Sequence, residues 1–315
     1  MISINWKFIL VIFLSIIFFN TVKGQNADCK PFEFNLPQSF QTVTETGLMI
    51  SADLNSDGND DLFMPYNRTQ SFSVMFGDGA GGFAPPRNFP AETGVSAITI
   101  GDLNRDGKLD LIGAVVGGNN GRIIVLLNNG QGEFSAPITT VFASGSYELP
   151  SLGIGDFNGD EIPDVAAVTG TNLHFLLGNG QGTLVLNTTL NWKGSRANLI
   201  VSNFNNDGLA DVAVTTTEYP WEIGIVFGTR AGSFAVAKNL PLTGQATGLK
   251  IGDFNADGKQ DLIVSAYYPY QNLTPQTYFL EPWLGDGAGN FNAGTKVQFP
   301  FQNDGVAVGD FNGDG

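Results

Sequence analysis

Histidine and cysteine are nearly absent from this chain: one of each, His174 and Cys29, in 315 residues. Zinc is therefore disfavoured, since it draws on these two residue types. Catalysis that relies on an out-of-pattern histidine or thiol has little to work with. Charge is scarce too, at 14% of residues, and one-sided, with 30 acidic against 15 basic side chains. The net charge of −15 argues against nucleic acid or an anionic membrane surface as partner. Beyond the N-terminus there is no apolar run long enough to span a bilayer and no helical periodicity.

The first 24 residues hold Lys7, an apolar run from Phe8 to Phe19 and a small residue at Gly24. That run is short for a membrane span, so residues 1–24 read as a secretory signal peptide cut near Gly24–Gln25. An uncleaved N-terminal anchor is the alternative. An exported chain with one thiol points to a partner for Cys29 outside this sequence, or to an intermolecular bridge. The residues before it, Asn26, Ala27 and Asp28, do not resemble a lipoprotein acylation site. Sequons at Asn67, Asn187 and Asn272 permit glycosylation in a eukaryotic host, the last weakened by Pro275.

What is abundant is glycine, phenylalanine and a repeated acidic stretch that holds more than half of the Asp and Glu. Its copies are DLNSDGNDD (53–61), DLNRDGKLD (102–110), DFNGDEIPD (156–164), NFNNDGLAD (203–211), DFNADGKQD (253–261) and DFNGDG (310–315). Their starts lie 49, 54, 47, 50 and 57 residues apart. A period of this size means stacked supersecondary units. A Gly-rich turn recurs in the same phase: FGDGAGGF (76–83), LNNGQGEF (127–134), LGNGQGTL (177–184), FGTRAGSF (227–234) and LGDGAGNF (284–291).

Each unit thus has four short strands. Strand a precedes the acidic loop (48–52, 97–101, 249–252) and b follows it (111–115, 165–168, 262–266). Strand c enters the Gly turn (123–127, 173–177, 223–227) and d leaves it (83–89, 134–140, 234–240). Four strands per repeat predict an all-β fold, a β-propeller of four-stranded blades, with five complete blades and the start of a sixth. A linear β solenoid is the alternative, but its rungs are shorter and lack paired hairpins with two fixed turn types.

The acidic loop sets oxygen donors at positions 1, 3, 5 and 9, with the main-chain carbonyl of position 7 available as a fifth. The candidate ligands are Asp53, Asn55, Asp57, Asn59 and Asp61 in loop 1, and Asp102, Asn104, Asp106, Lys108 and Asp110 in loop 2. Loop 3 offers Asp156, Asn158, Asp160, Ile162 and Asp164, and loop 4 offers Asn203, Asn205, Asp207, Leu209 and Asp211. Loop 5 offers Asp253, Asn255, Asp257, Lys259 and Asp261, and the start of loop 6 offers Asp310, Asn312 and Asp314. This is the front half of the oxygen scheme by which an EF-hand binds Ca2+, without its glutamate at position 12. Ca2+ suits it better than Mg2+, which demands stricter geometry and fewer protein ligands.

The bland alternative is an Asx-rich hairpin turn with no ion. Repetition and the cost of clustering carboxylates without a cation favour the ion. Five Ca2+ would take the charge from −15 to −5, since 5 × 2 is 10. Loop 4 has only two carboxylates, and loop 3 puts Glu161 where a positive-φ glycine is expected. Both are expected to bind more weakly than loops 1, 2 and 5.

These loops and Gly turns resemble the FG-GAP/VCBS repeat family, the unit of the N-terminal propeller of integrin α subunits, over roughly residues 42–315. The resemblance implies a propeller, most often seven-bladed, with Ca2+ in the a–b hairpins and an extracellular binding role. On that reading the sixth copy stops in mid-loop at Gly315, so the chain is a fragment lacking its last blades. Residues 25–41 form an N-terminal segment in which Pro31–Phe40 resembles a ring-closing outer strand. Nothing in the sequence shows the further domains or membrane span of an integrin subunit.

In such a blade the a–b and c–d turns share one end, and the b–c and d–a connections the other. Eight aromatics lie in or beside the latter: Tyr66, Tyr147, Trp192, Tyr219, Trp221, Tyr267, Tyr268 and Tyr270. Exposed rings on a rigid scaffold suit stacking on sugars or anchoring a protein; the alternative is that they pack the longer loops. His174 is expected to be an ordinary strand residue, and Glu148, Glu218 and Glu222 form no catalytic pairing. The expectation is a secreted, Ca2+-binding, non-catalytic module for extracellular recognition or adhesion. The alternative is the propeller of an extracellular polysaccharide lyase or hydrolase.

Overall fold

The computed structural model describes residues 49–66, 71–90, 95–115, 120–144, 151–194, 197–269, 277–299 and 308–309. The N-terminal segment with Cys29, loop 6, Tyr147, Tyr270, Asn67 and Asn272 lie outside them. Blade 1 is β1 (Ile50–Ala52), β2 (Asp61–Tyr66), β3 (Ser71–Met75) and β4 (Arg87–Pro90). Blade 2 is β5 (Val95–Gly101), β6 (Asp110–Val115), β7 (Asn120–Leu126) and β8 (Ile138–Ser144). Blade 3 is β9 (Ser151–Gly155), β10 (Asp164–Thr169), β11 (Asn172–Gly178) and β12 (Leu184–Asn191). Blade 4 is β13 (Leu199–Ser202), β14 (Asp211–Thr215), β15 (Glu222–Val226) and β16 (Val236–Pro241). Blade 5 is β17 (Gln245–Gly252), β18 (Asp261–Tyr267), β19 (Tyr278–Gly285), β20 (Phe291–Ala293) and β21 (Val297–Phe299).

Every sheet is an antiparallel meander in chain order, as the repeat predicts. The second strands β6, β10 and β14 are buried at every residue, because a neighbouring blade covers each face. That is why they read as unbroken apolar runs rather than alternating ones. The core lies between blades. Leu54, Phe63 and Phe72 of blade 1 meet Leu111, Ile124 and Leu126 of blade 2. Blades 2 and 3, 3 and 4, and 4 and 5 bury equivalent layers. Among the described residues no helix is long and apolar enough to cross a membrane.

Two features depart from the expected strands. The fourth strands of blades 1 and 2 begin at Arg87 and Ile138, not at Phe83 and Phe134, which make only isolated bridges to Gly77 and Asn128. Pro85, Pro86 and Pro137 explain the delay, since a residue without an N–H cannot continue a ladder. Blade 3 has no such proline, and its fourth strand starts at once, at Leu184. In blade 5 the fourth strand is split into β20 and β21, both paired with β19. The break faces Pro282, whose carbonyl accepts from Gly294 N–H at 2.8 Å while its own nitrogen has nothing to donate.

Candidate metal loops and recognition end

Each acidic loop is pinned where it enters and leaves the sheet. The last residue of the first strand pairs with position 9: Ala52 with Asp61, Gly101 with Asp110, Gly155 with Asp164, Ser202 with Asp211 and Gly252 with Asp261. Within loop 1 the carboxylate of Asp53 accepts from Asp57 N–H at 3.2 Å and Gly58 N–H at 2.8 Å. Asp102 and Asp253 do the same in loops 2 and 5. The position-3 asparagine, Asn55, Asn104, Asn158, Asn205 or Asn255, accepts the position-5 N–H at 2.9–3.1 Å. Asp57, Asp106, Asp160, Asp207 and Asp257 in turn accept the N–H of Asn59, Lys108, Ile162, Leu209 and Lys259 at 2.8–3.0 Å.

Position 9 has a role that spacing alone did not reveal. Asp61, Asp110, Asp164, Asp211 and Asp261 are fully buried. One oxygen of each accepts the N–H of position 2, from Leu54, Leu103, Phe157, Phe204 or Phe254, at 2.8–3.0 Å. The other accepts the N–H that opens the Gly-rich turn, from Gly77, Asn128, Gly178, Gly228 or Gly285, at 2.8–2.9 Å. One carboxylate thus clamps both hairpins of a blade together at the same end. Burial raises the pKa of Asp61 and Asp110, and the carboxylates at positions 5 and 1 push in the same direction. Asp164 and Asp211 are raised to about 6, again chiefly by burial.

Among the described residues no three His, Cys, Asp or Glu side chains stand as a ready-made ion cage. The carboxylates are turned onto main-chain N–H groups instead. The donor set still fits Ca2+: it is all oxygen, and the carboxylates at positions 1, 5 and 9 are close enough to repel, a cost that a cation removes. Asp53, Asn55, Asp57 and Asp61, with the Asn59 carbonyl, and their equivalents in loops 2 to 5, are the residues that would hold it.

The expected weakness of loop 3 loses its backbone argument. Glu161 does sit at φ 65°, but every other loop also carries one non-glycine residue in the left-handed region, at position 4: Ser56 (61°), Arg105 (62°), Asn206 (58°) and Ala256 (58°). Loop 3 has merely exchanged the two, with Gly159 at position 4. Each described loop therefore carries one left-handed non-glycine residue, and loop 3 carries no more than the others. Loop 4 remains different, because Asn203 offers one oxygen, taken by Asp207 N–H at 3.2 Å. Its amide nitrogen cannot accept the position-6 N–H that the aspartates of loops 1, 2 and 5 take.

Four consecutive stretches, residues 53–113, 114–167, 156–214 and 203–264, match the FG-GAP-like repeat. The chain belongs to the FG-GAP-like repeat family. Two curated relatives are the T-cell immunomodulatory proteins of Rattus norvegicus, 28% identical over 234 residues, and of Mus musculus, 26% identical over 234 residues. The match covers 69% of this chain and 37% of each relative, so the chain spans little more than a third of their length. Among solved structures, a lectin of Agrocybe aegerita, described for specific recognition of non-reducing terminal N-acetylglucosamine, aligns with a TM-score of 0.51. It covers 81% of this chain and 80% of the lectin at 18% identity, a likeness of fold alone.

The end of this FG-GAP-like propeller opposite the acidic loops holds those of the aromatic residues that are described, with unequal roles. Trp192 is not displayed: it is buried, donates from Nε1 to Thr215 O at 2.9 Å and packs on Gly224 of the next blade, where a β-carbon would fall 2.2 Å from the indole. Tyr268 leans on Phe279 at 4.7 Å between ring centres, and Tyr267 donates its hydroxyl to Gln245 at 2.8 Å. Tyr66 closes β2 at the same end. Among the described residues Tyr219 is the displayed ring, 76% exposed and edge-on to Trp221 at 5.5 Å. Its loop is held by Thr216, whose N–H donates to Glu222 O and whose hydroxyl takes Glu222 N–H, both at 2.8 Å. Trp221 packs against the layer between blades 4 and 5.

Of the sequons, Asn187 lies among the described residues, exposed on β12 and donating to Gly232 O at 2.6 Å. His174 is a buried strand residue between Thr169 and Thr189, whose hydroxyls lie 2.9 Å from its two ring nitrogens. Burial lowers its pKa to about 4. The unfolded state takes up the proton first, so this contribution is present above pH 6.5 and lost as pH falls toward 4. A shift of this size corresponds to about 3 kcal/mol. Urea melts at pH 7 and pH 4 are expected to show wild type losing about that much more stability than His174→Gln. Equal losses would show that the imidazole titrates as freely in the fold as outside it.

Proposed function

We propose that this chain is part of a secreted, Ca2+-binding, non-catalytic module for extracellular recognition, with carbohydrate as the ligand class. On this reading it is exported through residues 1–24 and carries glycans at its sequons. The observation that carries the reading is the division of the blade ends. One end repeats an oxygen-only loop five times, and the other holds an exposed tyrosine edge-on to a tryptophan on a hydrogen-bonded loop. A right-angled aromatic corner offers a face to the C–H side of a sugar ring, and a rigid loop loses little entropy on binding. The lectin neighbour and the immunomodulatory relatives make recognition a natural use of such a scaffold. The chain's only histidine is enclosed between two threonines, which leaves it no role in hydrolysis or elimination at a surface site.

The test is binding to an array of immobilised extracellular glycans in Ca2+. Tyr219→Ala is expected to weaken the strongest signals by about tenfold, the worth of one aromatic contact. Its unfolding temperature should stay unchanged, because the ring is exposed. Full retention of every signal in both Tyr219→Ala and Trp221→Ala would remove this corner from the account. Binding only to proteins would shift the ligand class.

A further inference from the structure

The acidic loops are not insulated from the blades that follow them. In loops 1, 3 and 4 the position-2 carbonyl, which lies between the first two candidate donors, is bonded to the Gly-rich turn of the next blade. Phe157 O accepts from Thr229 N–H at 3.0 Å, and Phe204 O from Gly289 N–H at 2.9 Å. Between blades 1 and 2 the link is made by a side chain instead: Asn128 Nδ2 donates to Leu54 O at 2.7 Å.

Blade 2 is unusual at this position. The other blades have Gly77, Gly178, Gly228 and Gly285, where a β-carbon would stand 2.2–2.4 Å from the position-8 carbonyl oxygen. In blade 2 that carbonyl, Leu109 O, accepts a hydrogen bond from Asn128 Nδ2 at 3.1 Å. Asn128 Oδ1 accepts Gly130 N–H at 3.0 Å, and its own N–H donates to Asp110 at 2.9 Å. The side chain is buried and every polar group on it is used. A single amide therefore joins loop 1, loop 2 and the turn of blade 2.

We propose that Asn128 is a positioning residue that couples the first acidic loop to the second, so that order in one is transmitted to the other. The physical lever is the peptide plane between Leu54 and Asn55. Its carbonyl is fixed by Asn128, and its orientation sets where the Asn55 side chain begins. A buried carbonyl that loses its donor turns toward another, and this plane turns with it. In its calcium arm the inference rests on the cation reading above; in its metal-free arm it does not.

Hydrogen–deuterium exchange of the full chain, resolved by peptide, separates the two. The variants are Asn128→Gly, which places here the residue of the other four blades, and Asn128→Asp, which keeps the shape and removes the donor. In chelator, exchange across residues 53–61 and 102–110 is expected to rise roughly three- to tenfold, the loss of one buried hydrogen bond, with 253–261 unchanged. In a Ca2+ titration, the concentration that half-protects 53–61 should rise by a similar factor while that for 253–261 stays fixed. Unchanged exchange at 53–61 in both variants overturns the coupling. So does an equal rise in all three segments, which marks general loosening. If Ca2+ protects no loop in the wild type, the cation reading fails, and the chelator arm still decides the coupling.

Discussion

Asp211→Ala is expected to destabilise the cation-free protein by about 3 kcal/mol, whereas Asp207→Ala, four residues earlier in the same loop, costs less than about 1 kcal/mol. Asp211 is fully buried and accepts Phe204 N–H at 2.8 Å and Gly228 N–H at 2.9 Å. Truncation orphans two buried donors, each at about 1–3 kcal/mol. There is an offset: burial raises the carboxyl to about 6, so its ionisation at neutral pH costs more in the fold than in the unfolded chain. Loss of that charge returns part of the cost. Asp207 is exposed, and water replaces its bonds. Asp211→Asn should fall between, since one oxygen remains while an NH2 group faces a donor. Urea melts in chelator decide it. An Asp211→Ala within about 0.5 kcal/mol of wild type would mean that position 9 does not clamp the two hairpins.

Ca2+ is expected to raise the unfolding temperature by roughly 20 °C or more relative to chelator. A site held only by the folded state adds about 2.7 kcal/mol at a hundredfold excess over its dissociation constant. Loops 1, 2, 3 and 5 each bring three carboxylates and one left-handed non-glycine residue, so four loaded sites approach about 10 kcal/mol. Asp57→Asn or Asp257→Asn should each remove about a quarter of the rise, and Asp207→Asn less, because loop 4 begins with Asn203. A wild-type shift of a degree or two would leave the loops as ordinary turns.

The repeat made most of this fold legible. Oxygen donors at fixed spacing, an apolar run after each, and a Gly-rich turn in phase placed four strands per blade. What spacing did not show depends on contacts across the fold. The second partner of position 9 lies 14 to 24 residues away, in a turn whose glycines announce tightness but not an N–H donor. The left-handed residues at position 4 are Ser56, Arg105, Asn206 and Ala256, and of these only asparagine favours that conformation. Its position after a strand groups Trp192 with the aromatics of the connections, whereas the structure buries it. The available clue was Gly224, the glycine within a strand of the next blade that the indole covers. The late outer strands were readable in principle, from Pro85, Pro86 and Pro137.

If the acidic loops are Ca2+ sites, the ions stay with the protein at equilibrium. An ion count tests it most directly: dialysis of the purified protein against millimolar Ca2+, followed by elemental analysis of protein and buffer. Roughly three to six Ca2+ per chain above background are expected, with a loss of about one for each position-5 Asp→Asn substitution. A calcium content equal to that of the buffer would contradict it.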